Sequence, residues 1–154
     1  MSSAPNDARY YYALGYSASH LKEVDTVRQN YKKAIDLDAS NEWYQISYGW
    51  ALFNAEAYDA ALQQWLKASA FGKGNHPENN ITVALGYYGV GDLEHAAQYY
   101  NTQIEIDGRY STFKGLQEAT AHWTWHEKEA IYRLYDVWRY CYPAAMPGGE
   151  IIPP

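Results

Sequence analysis

The sequence predicts an all-α fold, an α-solenoid in which antiparallel helix pairs stack in series. Small residues recur at a nearly constant interval along the 154-residue chain, and a large residue follows each of them four positions later. Amphipathic segments of helical period connect these anchors, and no segment has the alternating pattern of a strand. The small anchors are Val27, Ala61, Ala96 and Ala130, and the large anchors are Tyr31, Trp65, Tyr100 and Leu134.

The interval of about 34 residues divides the chain into four repeats, each long enough for two helices and a turn. Asn41 and Gly108 supply breaks between repeats, and Gly91 with Asp92 separates the two helices of the third. Because one helix pair cannot bury its apolar stripe alone, neighbouring pairs must stack. The repeats are 8–41, 42–75, 77–110 and 111–144, with His76 as an inserted residue.

Small residues on the first helix of each pair predict where its two helices meet. Gly15, Gly49 and Ala84 occupy equivalent positions in the first three repeats. Since two helices approach closely only where side chains are small, we expect these three residues to face the small anchors on the second helices.

The helix–turn–helix period resembles the tetratricopeptide repeat (TPR). The stretch GVGDLEHAAQYYNTQIEID in the third repeat follows the pattern of that family most closely. The fourth repeat has Gln117 and Glu118 where Leu-Gly is expected, and we interpret it as a divergent capping repeat after three clear ones. The resemblance covers residues 8–142, which leaves a flexible N-terminal segment, 1–7, and a Pro/Gly-rich tail, 143–154.

The resemblance implies a concave groove lined by the first helix of each repeat. A partner's peptide or helix would bind there, and the chain would be a non-enzymatic protein-protein interaction module: a scaffold, an adaptor or a chaperone-like assembly factor. The groove positions of the family fall mostly on aromatic or aliphatic residues in this sequence, which favours apolar recognition. The expected partner-binding residues are Tyr12, Tyr16, His20, Trp43, Ile46, Trp50, Phe53, Tyr88, His122 and Trp123.

The residues leave three occupants of this groove open. An apolar stripe runs along the first helix of the second repeat, apart from its packing stripe, and consists of Trp43, Ile46, Trp50 and Phe53. A helix that is apolar on two faces is covered on both. The cover could be a partner protein, a second copy in a self-associating homodimer, or the chain's own tail. Arg9 is the one basic residue at the groove positions, so we expect no clamp for a partner's carboxylate.

Composition and charge argue against several functional classes. The formal net charge is −6 and the pI is about 5.3, which gives no electrostatic footprint for nucleic acid. No run approaches the ~20 apolar residues of a membrane span, and the N-terminus lacks a signal-peptide run. We expect a cytoplasmic protein if the chain is complete as shown, and an exported one if a leader was removed. Cys141 cannot form an internal disulfide, and we expect it to be packed.

Few residues suggest chemistry. His122 and His126 lie four apart and, with Glu127 or Glu129, could present ligands to a metal. His126 falls at the expected turn of the fourth repeat, however, and two histidines alone are weak evidence, so we expect no metal site and no cofactor. Paired carboxylates recur at equivalent helix ends and are interpreted as solvated. We therefore expect no enzymatic activity.

Overall fold

A computed structural model describes residues 5–72 and 76–141, and every regular element in these two ranges is helical. The all-α prediction is confirmed. The chain divides into two compact units, Met1–Asn79 (unit 1) and Asn80–Pro154 (unit 2). The helices of unit 1 are α1 (Ala8–His20), α2 (Val24–Leu37), α3 (Glu42–Asn54) and α4 (Tyr58–Phe71). From the boundary onward follow α5 (Asn79–Gly89), α6 (Leu93–Ile106), the 3-10 helix η1 (Gly108–Ser111), α7 (Phe113–Ala119) and α8 (Trp125–Cys141).

Side-chain caps fix two of the helix starts at the predicted breaks. Asn41 precedes α3, and its side-chain oxygen accepts a hydrogen bond from the Trp43 backbone N–H at 3.1 Å. Asp92 precedes α6 and accepts one from the His95 backbone N–H at 3.2 Å. Asn and Asp are preferred at this position because they satisfy backbone donors that have no partner inside the helix. The breaks before α3 and between α5 and α6 are therefore confirmed.

The turns inside the first three helix pairs share one backbone geometry. Each pair has a residue in the left-handed region two positions after its first helix: Lys22 at φ 56°, Glu56 at φ 64° and Gly91 at φ 85°. In each case the next residue donates its N–H to a carbonyl five positions back, at 2.9–3.0 Å. This bond satisfies a carbonyl at the helix end, as in the Schellman motif. The second helix begins two residues after the left-handed one in all three pairs.

Glycines on the first helices accept rings from the second ones. A Cβ added at Gly15 would lie 2.5 Å from Tyr31 Cδ2, and one added at Gly49 would overlap the indole of Trp65. At these two positions the nearest side chain is the large anchor of the second helix. The close approach is real, but it makes room for the large anchor four residues further on, and both rings are fully buried.

The fourth repeat does not form two helices of equal length. Its first helix, α7, ends at Ala119, and the Thr120 hydroxyl and N–H that follow both donate to the Leu116 carbonyl before the chain turns. His122 and Trp123 therefore lie in a turn and not on a helix, which corrects their predicted placement. A capping box starts α8, since Thr124 N–H donates to Glu127 Oε2 and Glu127 N–H donates to Thr124 Oγ1.

Rings from α6 and α8 form the core of unit 2. Tyr100 is buried and donates its hydroxyl to the Tyr110 carbonyl at 2.7 Å, while its ring lies 5.6 Å from that of Trp138. Trp138 is also buried, and its Nε1 donates to Asn101 Oδ1 at 3.1 Å. These contacts pack α6 on α8 and on η1, whereas α7 packs on η1 and α8.

The ends of the described chain bear on three expectations. Of the N-terminal segment 1–7, residues 1–4 lie outside the described residues, and Asp7 caps α1. The tail 143–154 lies wholly outside them. Cys141 is exposed, so the packing expectation is wrong: it is the last residue of α8, beyond the buried stripe that ends at Trp138. None of the helices in the described ranges combines the length and apolar character needed to cross a membrane.

Candidate functional site

A row of three rings runs along α1, four residues apart. Tyr12, Tyr16 and His20 lie on one helical face, and we call them the ring row. The centroids of Tyr12 and Tyr16 are 6.4 Å apart, and His20 meets Tyr16 edge to face at 4.7 Å. Tyr12 is half-buried, whereas His20 is exposed and Tyr16 is 47% exposed. The row therefore rises from the core of unit 1 into solvent.

The base of the ring row is fixed by two tyrosines of neighbouring helices. Tyr12 stacks on Tyr44 of α3 at 5.3 Å and meets Tyr31 of α2 edge to face at 5.7 Å. Tyr31 in turn bonds Ser47 through its hydroxyl at 3.0 Å. Burial raises the pKa of both Tyr31 and Tyr44, so their hydroxyls stay neutral well above pH 7. The row consequently rests on a packed, uncharged base.

Trp43 adds a second exposed ring to unit 1. It lies in the first turn of α3, next in sequence to Tyr44, and is 42% exposed. Its ring lies 6.4 Å from that of His76, the inserted residue between the second and third repeats. Tyr44 and His76 were not among the expected site residues. The sequence feature that could have indicated Tyr44 is its position next to Trp43, and the feature that could have indicated His76 is that it is the inserted residue.

Three expected groove residues on α3 are buried. Ile46 and Phe53 are almost completely inaccessible, and Trp50 is 9% exposed. Trp50 packs edge to face on Phe53 and on Trp65 of α4, and its Nε1 donates to Glu78 Oε2 at 3.3 Å. Every residue from Tyr44 to Phe53 is buried, so the chain itself covers both apolar faces of α3. These three side chains therefore present no surface to a partner in this structure.

The remaining expected residues belong to unit 2. Tyr88 is half-buried near the end of α5, His122 is exposed, and Trp123 is buried. The ten expected residues thus fall into two sets, one on each unit. Within unit 1, the accessible ones are the ring row and Trp43, which together we call the ring surface.

The one basic residue at the expected groove positions is held in an exposed ion pair at the start of α1. Arg9, the one arginine on α1, donates from Nε and Nη2 to the Asp7 carboxylate at 3.1 and 2.9 Å. This guanidinium lowers the pKa of Asp7 through hydrogen bonds. Arg9 is thus paired with a carboxylate of its own helix start in this structure.

The histidine pair of the fourth repeat is split between a turn and a helix. His122 precedes α8, whereas His126 lies in its first turn, so the two do not share one helical face. Across residues 5–72 and 76–141, no group of three His, Cys, Asp or Glu side chains could hold a metal ion.

Comparison with known proteins gives no assignment. No model of a known protein family matches the chain, and no curated protein resembles it in sequence.

Proposed function

We propose that this chain is a non-enzymatic binding module of the tetratricopeptide-repeat type, and that its ring surface binds a helix or extended peptide of a partner protein. The observation that carries the proposal is the exposure of Tyr16 and Trp43 on a rigid base of buried tyrosines. Large exposed rings on fixed helices are typical of interaction sites.

The recurring turn geometry supports the repeat part of the proposal. Lys22, Glu56 and Gly91 are separated by the same period as the sequence anchors, and each has the same hydrogen bond after it. A left-handed backbone is uncommon for lysine and glutamate, so its recurrence at that interval favours a repeated design over an ordinary bundle. Within unit 1, α3 packs against α1, α2 and α4, as successive helix pairs of such a stack would.

The ring surface can supply useful binding free energy. Tyr and Trp are enriched among residues whose truncation costs 2 kcal/mol or more at interfaces. For rings that are still about half covered in the free chain, we expect about 1.5 kcal/mol each, or roughly a tenfold loss of affinity per truncation. The edge-to-face contact with His20 holds Tyr16 in place, which reduces the entropy lost on binding.

A peptide library tests the proposal with a control on the same helix. Peptides selected for binding to the full chain would be titrated against the Tyr16→Ala, Trp43→Ala and Tyr10→Ala variants. Tyr10 matches Tyr16 in exposure, at 46%, but lies off the ring row. We expect about tenfold weaker binding for the first two variants and less than a twofold change for Tyr10→Ala. Equal binding by all three variants would refute the assignment of this surface.

The same variants distinguish a partner from self-association. Light scattering over a range of concentrations would reveal a homodimer, and deletion of 143–154 would reveal a tail that occupies the surface. If the chain dimerises and Tyr16→Ala disperses it, a second copy is the natural occupant. If deletion of the tail increases peptide affinity, the tail is a competitor for the site.

A further inference from the structure

A second feature of unit 1 is an open cleft of about 220 Å³ between α2, α3 and α4. Its lining residues lie on all three helices at spacings of three or four: Arg28 and Lys32 from α2, Tyr48 and Leu52 from α3, and Ala60, Gln63, Gln64 and Lys67 from α4. Residues at that spacing share a helical face, so each of the three helices presents one face to the cleft. The ring surface, in contrast, is built from α1 and the start of α3.

The cleft gathers positive charge in an acidic protein. Arg28, Lys32 and Lys67 line it, and no carboxylate of residues 5–72 or 76–141 does. The chain as a whole carries a formal net charge of −6. Three like charges around one small space raise the local potential for an anion and repel one another without it.

Arg28 differs from the other arginines of the chain. Arg9, Arg109, Arg133 and Arg139 each lie within ion-pair distance of a carboxylate, at 2.7–3.6 Å. Among the described residues, no acidic side chain pairs with Arg28, Lys32 or Lys67 in this way. A guanidinium matches a carboxylate through two parallel hydrogen bonds, so Arg28 is left with this capacity unused.

The floor of the cleft is rigid and protonated. Tyr48 is buried, and its ring stacks on that of Tyr31 at 5.3 Å with an interplanar angle of 9°. Burial raises the pKa of Tyr48, while the positive charge of Arg28 acts in the opposite direction. At neutral pH the hydroxyl is therefore a neutral donor beside the cations. Leu52 gives the floor an apolar side next to the Tyr48 ring.

We propose that this cleft binds an acidic peptide segment of a partner protein, with carboxylates on Arg28, Lys32 and Lys67 and an apolar side chain on the Tyr48–Leu52 floor. An open cleft encloses little of a small ligand, whereas an extended peptide continues beyond it. The mixed lining of cations, amide and apolar floor matches a segment in which acidic and apolar residues alternate. This inference does not depend on the ring surface, since the two sites share no residue.

A fluorescein-labelled peptide of alternating glutamate and leucine tests it by anisotropy with the full chain. The test variant is Lys32→Gln/Lys67→Gln. The matched control is Lys33→Gln/Lys114→Gln, which removes the same charge outside the cleft lining. We expect the test variant to weaken binding about tenfold and the control less than twofold. Arg28→Lys, which keeps the charge but loses the fork, should weaken binding by about threefold.

Three results would overturn the proposal. One is equal weakening by the test and control variants, which would mean that net charge alone attracts the peptide. Another is unchanged affinity for the same peptide with glutamine in place of glutamate. The last is full displacement of the peptide by inorganic phosphate at a low millimolar concentration, which would identify a site for a free anion and not for a peptide. Circular dichroism of each variant would confirm that the helices are retained.

Discussion

Replacing Gly49 by alanine tests the packing of unit 1 at its tightest point. The added Cβ would lie 2.7 Å from Trp65 Cε2 and closer still to Nε1 and Cδ1. Ordinary contact begins near 3.4 Å, so the ring must move by at least 0.7 Å. It has little space to do so, because Trp65 is fully buried between the rings of Trp50 and Phe53.

Three contributions decide the size of the effect. Overpacking of a dense core costs about 1–3 kcal/mol. The hydrogen bond from Trp65 Nε1 to the Ile46 carbonyl, at 3.1 Å, would stretch and lose about 1 kcal/mol. The better helix propensity of alanine returns about 1 kcal/mol. The free energy of unfolding should therefore fall by about 2 kcal/mol.

Urea unfolding followed by tryptophan fluorescence and circular dichroism measures this loss. With a urea dependence of about 2 kcal/mol per M for a chain of this size, the midpoint should fall by about 1 M. Gly108→Ala is the control, because nothing lies within 4 Å of a Cβ there, and its midpoint should stay within about 0.3 M. In a Trp65→Phe background the cost of Gly49→Ala should shrink. An unchanged or higher midpoint for Gly49→Ala, with Trp65 native, would refute this account of the packing.

Three further outcomes follow from the described contacts. Lys22→Gly should raise the free energy of unfolding by about 1 kcal/mol, because glycine adopts the left-handed backbone without strain. Urea titrations at high salt would measure it, since salt screens the exposed ion pair that the substitution removes. A lower free energy of unfolding would contradict the left-handed turn. Burial raises the pKa of Tyr31 and Tyr100, so above about pH 10 these tyrosines ionise in the unfolded chain before they ionise in the folded one. The free energy of unfolding should therefore be constant with respect to these groups below about pH 10. Above it, the free energy should fall by up to about 1.4 kcal/mol per pH unit for each residue. Tyr31→Phe should flatten that fall, and an unaltered pH profile would count against the buried hydroxyl. Thr124→Ala should lower the free energy of unfolding by about 1 kcal/mol through loss of the capping box. The control Thr102→Ala, at an exposed site inside α6, should lower it by clearly less. Equal thermal midpoints for the two variants would argue against the cap.

Local patterns predict the start of the first helix and several of the breaks between helices. The first repeat was expected to begin at residue 8, where α1 begins, and the breaks at Asn41 and Gly91 were placed correctly. These features depend on helical periodicity and on capping or turn residues within a few positions. The Thr124–Glu127 capping box is equally local, but the repeat pattern alone extends α7 through Trp123.

Features set by tertiary packing could not be predicted in the same way. The apolar face of α3 with Trp50 and Phe53 has the composition of an exposed binding stripe, and only the fold reveals that the chain itself buries it. The side chain nearest to Gly49 is the ring of Trp65, which depends on the rotation of one helix about another. The cationic cleft was missed because Arg28 and Lys67 are far apart in sequence and each resembles an ordinary solvated residue.

The salt bridge between Lys22 and Glu56 constrains how such a chain could be lengthened. The two residues occupy the same place in consecutive turns and meet at 2.6 Å, although both are largely exposed and the pair adds little free energy. Tandem duplication of residues 8–41 would set lysine against lysine at the new junction, and duplication of 42–75 would set glutamate against glutamate. A lengthened chain would therefore keep this weak favourable contact only where lysine and glutamate alternate at these turns.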